Sequence, residues 1–211
     1  MHYANELFWE KCKKTYPAYF RNPSTVIEFG SRDMNGSIRE YFSCSHYVGI
    51  DWREGQGVDL VCLAHKAPFE PETFDTVVSA SMLEHDPHWR KSIAKMVSVL
   101  KPGGLLAISW GTALNPPHHA SSAPDGKFHA LKAGLALRHL KKLEMHVHTF
   151  LYERRLLEQD DNPEIVARLI RNKEAGTDAV ALVAFKDSRY AIGRQCVDTL
   201  LDEDKTGDKS Q

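Results

Sequence analysis

Glu28-Phe29-Gly30-Ser31-Arg32-Asp33-Met34-Asn35-Gly36-Ser37 joins an acid, two glycines and polar turn residues at the end of an apolar run. Glycine lets a backbone pass tightly beneath a ligand, and a helix that follows offers free N–H groups. The same residues also suit a plain strand-to-helix turn, and Asn35-Gly36 is a turn pair in its own right. Asp51 closes a second apolar run about 21 residues beyond Gly30. An acid there can accept hydrogen bonds from both hydroxyls of a ribose, as in dinucleotide sites, or stand as a solvated loop acid. Leu63-Ala64-His65 and the stretch Ser79 to His85 follow two further apolar runs. Histidine can exchange a proton near neutral pH, and His118-His119 stands behind Pro116-Pro117 in a Pro- and Ser-rich stretch. His146 and His148 alternate on one strand face, with no third residue to complete a metal site. The four cysteines show no metal-ligand spacing and read as free thiols.

Stretches with these ends need strands to hold them. Residues 25–30, 47–51, 58–63, 74–80 and 104–110 are short and nearly continuous in apolar residues, as in parallel strands buried on both faces. Residues 37–42 and 88–101 read as helices between them, the second carrying Trp89, Ile93, Met96, Val97 and Leu100 on one face. Pro102-Gly103-Gly104 should stop that helix. Strand–helix–strand repetition means an α/β fold with helices on both sides of the sheet. An amphipathic helix over 4–20, ended early or bent by Pro17, precedes it. Its aromatics Tyr3, Phe8, Trp9, Tyr16 and Tyr19 suit either a lid or simple packing on the domain. Residues 111–127 read as a loop, 128–143 and 162–173 as helices, and 144–152 and 179–186 as closing strands. The segment 202–211 holds no apolar residue and is expected to be disordered.

The chain has 211 residues, 42% apolar and 26% charged, which suits one soluble domain with short appendages. Lys+Arg 27 against Asp+Glu 28 leaves a net charge of −1 and a pI near 6.8. That balance gives no reason for bulk nucleic-acid or anionic-membrane binding, which needs a positive surplus. No apolar run approaches the roughly 20 residues that span a bilayer, and the N-terminus lacks the apolar stretch of a signal peptide. A cytoplasmic location is expected.

Taken together, VIEFG…NG, YVGID, APFEPETFDTVVSASMLEH and LKPGGLLAISW resemble the class I S-adenosylmethionine-dependent methyltransferases of the small-molecule type. The resemblance covers about residues 25–110. It implies a Rossmann-like sandwich: a mostly parallel seven-stranded sheet with helices on both faces, spanning 23–201 behind an N-terminal helix at 1–22. It further implies S-adenosyl-L-methionine as cofactor, S-adenosyl-L-homocysteine as product and a small soluble acceptor as partner. On the family pattern Glu28 organises the glycine loop and approaches the methionyl amine, while Gly30, Ser31 and Gly36 line the methionine and ribose side. Asp51 binds the ribose hydroxyls, Trp52 or Arg53 flanks the adenine, and Leu63-Ala64 meets its edge. Ser79, Ala80 and Ser81 form the floor beneath the sulfonium, with Glu84 and His85 at the rim. His85, His118 and His119 are the candidates for the acceptor side.

Two departures stand out. Arg32 and Met34 occupy the second and third glycine places of the family loop, and Gly36 comes two residues late. Leu63 stands where many relatives carry an Asp to the adenine amino group. These departures keep a second reading open, a regulatory module that binds the cofactor without catalysis. A nucleic-acid or protein methylase lacks a basic stripe. A dehydrogenase lacks G-x-G-x-x-G.

Overall fold

The computed structural model of the chain describes residues 3–34, 36–111, 124, 127–129, 131–152 and 179–186. Strands β1 (Thr25–Phe29), β2 (His46–Asp51), β3 (Leu60–Val61), β4 (Phe74–Ala80), β5 (Leu100–Gly111), β6 (His146–Tyr152) and β7 (Ala179–Phe185) form one sheet. Its order is β3-β2-β1-β4-β5-β7-β6, and β7 alone runs against its neighbours. From β1 the chain walks outward to β3, then returns to β4 on the other side of β1. That reversal opens a crevice beyond the carboxyl ends of β1 and β4.

Alternation along β1 divides the core. Ile27 and Phe29 face helices α2 (Trp89–Val99) and α3 (Ala133–Lys142), packing with Ile93, Met96, Leu137 and Leu140. Val26 faces the opposite layer, where helix α1 (Tyr3–Thr15) buries Phe8, Trp9 and Cys12 against Leu105, Val183 and Phe185. Burying Phe8 and Trp9 is worth roughly 1.5–3 kcal/mol each, so α1 is bound to the sheet rather than draped over it. Among the described residues, no helix is long and apolar enough to cross a membrane.

Several sequence expectations need correction. The first helix ends at Thr15, and Pro17–Phe20 forms a separate 3-10 helix. Tyr16 before the proline sits at φ −124°, ψ 51°, out of the helical region, as pre-proline sterics require. The helix expected over 37–42 is only a four-residue 3-10 helix, Ile38–Tyr41, capped by the Ser37 hydroxyl on the Arg39 N–H at 3.1 Å. Too few residues remain before β2 begins at His46 for a longer one. The third strand shrinks to Leu60–Val61; just before it the Asp59 N–H donates to the Gly49 carbonyl at 2.8 Å and the Asp59 carboxylate accepts from the Gly49 N–H at 2.7 Å.

Helix α2 stops at Val99, and the Lys-Pro-Gly-Gly stretch lies inside β5 rather than between elements. Phe74 pairs with Leu100 but Thr76 with Leu105, so residues 101–104 bulge opposite Asp75. The bulge suits a proline without a donor and Gly103 at φ +77°. Lys101 Nζ reaches Asp75 at 2.9 Å, and the Tyr19 hydroxyl donates to the Gly103 carbonyl at 2.7 Å. Burial pushes the Asp75 carboxyl up, but the Thr25 backbone and hydroxyl donors and Lys101 outweigh it and hold it below its ordinary value. Helix α3 starts at Ala133 rather than 128, and ahead of it the His129 N–H donates to the Glu84 carbonyl. The expected helix at 162–173, the segment 202–211 and most of 111–127 lie outside the described residues.

Candidate functional site

The site is built where β1, β2 and β4 end. In parallel register Glu28 pairs with Gly49, so Glu28 and Asp51 stand on adjacent strands at the same end of the sheet. After β1 the chain turns back over β2, with the Gly30 and Ser31 N–H groups donating to the Ile50 carbonyl at 2.8 and 3.0 Å. That turn needs Gly30 at φ +81°, where a β-carbon is strained. A β-carbon there would also meet Met82 Cβ at 2.5 Å and Cγ at 2.6 Å. Met82, just beyond β4, therefore fills the space above Gly30 that the sequence reading left to a ligand.

The irregular glycine loop is supported from the side. Asp33 N–H donates to the Gln56 carbonyl at 2.9 Å, and Asp33 Oδ1 accepts from the Gly36 N–H at 2.8 Å. A β-carbon on Gly49 would meet the Gly57 carbonyl at 2.2 Å and Ser31 Oγ at 2.7 Å. One on Gly57, at φ +83°, would meet the Ser31 carbonyl at 2.6 Å. Close approach of two loops thus falls on Gly49 and Gly57. The pattern Glu54-Gly55-Gln56-Gly57 was the available signal, and sequence reasoning passed over it.

Glu28 is buried and accepts a hydrogen bond from the Tyr47 hydroxyl on Oε2 at 2.7 Å. Burial pushes its carboxyl up to about 7, against the pull of Tyr47 and the Arg39 guanidinium and with a push from Asp33 and Asp51. Asp51 is half-buried, and its Oδ1 accepts from the Arg53 N–H at 3.0 Å. Burial raises its carboxyl above the ordinary value, while backbone donors at Arg53, Arg32 and Trp52 and the Arg32 charge pull it back. Arg53 lies over the Trp52 ring, 4.2 Å from its centroid. Leu63 precedes the 3-10 helix Ala64–Lys66, and both Leu63 and Ala64 are half-buried beside β3.

On the β4 side Ser79 is fully buried, Ala80 half-buried and Ser81 exposed. Ser81 holds φ +52°, uncommon for a residue with a β-carbon, and Asn5 of α1 donates to its hydroxyl at 3.1 Å. The Ser31 and Ser79 hydroxyls are buried with no hydrogen-bond partner among the described residues. His85 is half-buried, its ring 5.7 Å from that of Phe128. Glu84 does not stand at the rim, contrary to the sequence expectation. It is 3% exposed and accepts from the Gly111 N–H on Oε1 at 2.8 Å, tying the 3-10 helix Leu83–His85 to the end of β5.

Burial pushes Glu84 up to about 7, against the pull of backbone N–H groups at Gly111 and Glu84. The folded acid therefore keeps a proton that the unfolded chain releases near pH 4.3. Its stabilising contribution is complete below that value and fades as pH rises through about 7, a swing of about 3 kcal/mol. Melting temperature should fall from pH 5 to pH 8 in the wild type, and Glu84→Gln should flatten part of that fall. Glu28, raised likewise, supplies the remainder. Parallel melting profiles for wild type and Glu84→Gln would remove Glu84 as a source.

Glu28, Gly30, Ser31, Gly36, Asp51, Trp52 and Arg53 thus cluster at the ends of β1 and β2, Leu63 and Ala64 follow β3, and Ser79, Ala80, Ser81 and His85 follow β4. His118 and His119 lie outside the described residues. His146 and His148 sit on β6, where His148 meets Tyr16 and Phe185. His65 faces His88 at 4.5 Å between ring centroids; burial, then the His88 charge, lowers its basicity. Among the described residues no group of three His, Cys, Asp or Glu could hold a metal ion. Tyr47, Arg39, Met82 and Asn5 were not foreseen, because single residues outside a motif give no signal of the contacts that the fold brings to them.

A mostly parallel sheet in this order, with its one reversed strand and its acids at the β1 and β2 ends, defines the Rossmann-like methyltransferase architecture. Residues 35–108 match a family described as a methyltransferase domain. A phthiotriol/phenolphthiotriol dimycocerosates methyltransferase 1 of Mycobacterium ulcerans is 32% identical over 152 residues, covering 70% of this chain and 44% of that protein. The chain therefore spans under half the length of that relative. A 1,6-didemethyltoxoflavin-N1-methyltransferase of Burkholderia thailandensis, solved with bound 1,6-didemethyltoxoflavin and S-adenosylhomocysteine, superposes with a TM-score of 0.59 at 15% identity. That match covers 88% of this chain and 80% of the other. The [4+2]-cyclase SpnF superposes with a TM-score of 0.59 at 15% identity, covering 87% and 80%. Residues 35–108 are thus similar to methyltransferase domains, and most of the chain shares the fold of solved methyltransferases.

Proposed function

We propose that this chain binds S-adenosyl-L-methionine at the carboxyl ends of β1, β2 and β4 and transfers its methyl to a small soluble acceptor, releasing S-adenosyl-L-homocysteine. The observation that carries this reading is the pair Glu28 and Asp51, on adjacent parallel strands beside the reversal of strand order, in a chain that matches a methyltransferase domain over 35–108. The donor set fits the cofactor. Glu28 is an acid suited to an ammonium, Asp51 is an acceptor suited to two ribose hydroxyls, and the buried Ser31 and Ser79 hydroxyls lack partners among the described residues. Gly30, Ser31 and Gly36 would line the methionine and ribose side, and Trp52 and Arg53 would flank the adenine. Leu63 and Ala64 would meet its edge through apolar and backbone groups, and Ser79, Ala80 and Ser81 would form the floor under the sulfur.

When bound, the cofactor supplies a methyl on a positively charged sulfur, a good leaving group. The chain's part is alignment: an acceptor lone pair must meet the methyl in line with the bond that breaks, and positioning supplies much of the acceleration. A base is needed only for an acceptor that still carries its proton, and His85, His118 and His119 are the proposed candidates. The unit 23–201 is taken as the methyltransferase domain, with 1–22 as its N-terminal cover. Cys12, Cys44 and Cys62 are free thiols, which fits a cytoplasmic site of action.

The second reading, a module that binds the cofactor without turnover, rests on Arg32 and Met34 in the glycine places and Leu63 beside the adenine site. The match to a cyclase also means that the fold hosts chemistry other than methyl transfer. Incubation with S-adenosyl-L-methionine and a panel of small hydroxyl, amine and carboxylate acceptors should release S-adenosyl-L-homocysteine with at least one of them. Tight cofactor binding with no release across the panel would favour the second reading.

A further inference from the structure

We infer that Tyr47 is a positioning residue for the cofactor site: its hydroxyl fixes the Glu28 carboxylate so that Oε1 is the oxygen presented to the ligand's ammonium. The inference rests on the reading of the cleft given above and goes beyond it, since Tyr47 itself would touch no ligand. Three observations carry it. The Tyr47 hydroxyl donates to Glu28 Oε2 at 2.7 Å, across from a neighbouring strand, inside a buried region. Tyr47 is itself held: the Arg39 guanidinium lies 4.7 Å from its ring centroid and donates to its carbonyl at 3.0 Å. Arg39 in turn meets Asp59 at 3.2 Å, and Asp59 accepts from the Gly49 N–H at 2.7 Å. Gly49 is the register partner of Glu28, so the chain of contacts closes on the residue it orients.

This arrangement answers a local need. In place of a long helix after β1, the chain forms only the 3-10 helix Ile38–Tyr41, too short to supply an array of free N–H groups. Arg39 comes from that short helix and Tyr47 from β2, so side chains of these two elements act on Glu28. The Arg39–Asp59 pair is partly exposed and adds little stability, but it restricts the guanidinium to one orientation.

The groups facing Glu28 are Tyr47, Arg39, Asp33 and Asp51. Burial raises its carboxyl to about 7, and the Tyr47 bond works against that rise by favouring the charged form. Cofactor binding through an ammonium needs the charged form, so affinity should climb with pH across neutrality. Removing the Tyr47 hydroxyl should shift that climb to higher pH, which loss of packing alone would not do.

Calorimetric titration of S-adenosyl-L-homocysteine between pH 6 and 8.5, on wild type, Tyr47→Phe, Glu28→Gln and the double variant, tests this. Tyr47→Phe should bind roughly tenfold more weakly at pH 7 and recover toward pH 8.5. Glu28→Gln should be weak without the pH-dependent climb, and adding Tyr47→Phe to it should cost nothing further. Wild-type affinity and pH profile in Tyr47→Phe, with Glu28→Gln weakened, would overturn the role of Tyr47 alone. An additional loss in the double variant would also overturn it, as Tyr47 would then act other than through Glu28. No binding by wild type would overturn both this role and the reading of the cleft.

Discussion

Gly30→Val should abolish S-adenosyl-L-homocysteine binding and lower the melting temperature by roughly 6–12 °C. The strained backbone and the contact with Met82 together should cost about 3 kcal/mol, and each kcal/mol shifts a domain of this size by roughly 2–4 °C. Valine cannot relax at φ +81°, and its β-carbon would stand 2.5 Å from Met82 Cβ. The displaced Met82 begins the stretch that continues into Leu83–His85, so disturbance at β1 passes to the β4 side of the cleft. Met82→Gly in a Gly30→Ala background should recover part of the melting temperature, since it removes the contact but not the backbone strain. Unchanged melting and unchanged binding in Gly30→Val would show that the turn tolerates a side chain and that Gly30 lies away from the ligand.

Asp51→Ala should act on binding with little effect on folding. Charge-assisted hydrogen bonds are worth roughly 1.5–3 kcal/mol each, so losing the proposed ribose contacts should weaken S-adenosyl-L-homocysteine by at least about tenfold. The structure itself loses an acceptor for backbone donors at Arg53, Arg32 and Trp52, at a half-buried position. Melting temperature should therefore stay within a few degrees of wild type. An unaltered dissociation constant in a folded variant would take Asp51 out of the site.

The contrast between these two residues mirrors what could be read from sequence. The place of Asp51 at the end of β2 was legible because parallel strands announce themselves as continuous apolar runs, while its role at a ribose is a proposal. The strand order came from the structure and not from periodicity, since apolar runs do not say which strands are neighbours. The meaning of Gly30 was only half legible. Its backbone conformation could be expected, but Met82 as its neighbour depends on a contact across 52 positions.

Other features were hidden for similar reasons. Glu84 reads as a polar residue in a loop motif, yet its carboxylate serves the backbone at the end of β5, a partner that only the sheet brings near. The bulge at 101–104 looked like a helix stop because Pro-Gly-Gly breaks either kind of element, and Leu100 decided the matter by pairing with Phe74. Gly49 was counted as part of an apolar strand, although its missing side chain makes room for the loop at Gly57. His118 and His119 remain sequence proposals for the acceptor side.

The central claim is that the ends of β1, β2 and β4 form a cofactor site. Calorimetric titration of S-adenosyl-L-homocysteine into the whole wild-type chain at pH 7.5 addresses it without knowledge of the acceptor. The account predicts saturable binding to a single site, with a dissociation constant on the order of micromolar and a raised melting temperature at saturation. No heat and no thermal shift at millimolar S-adenosyl-L-homocysteine would contradict it.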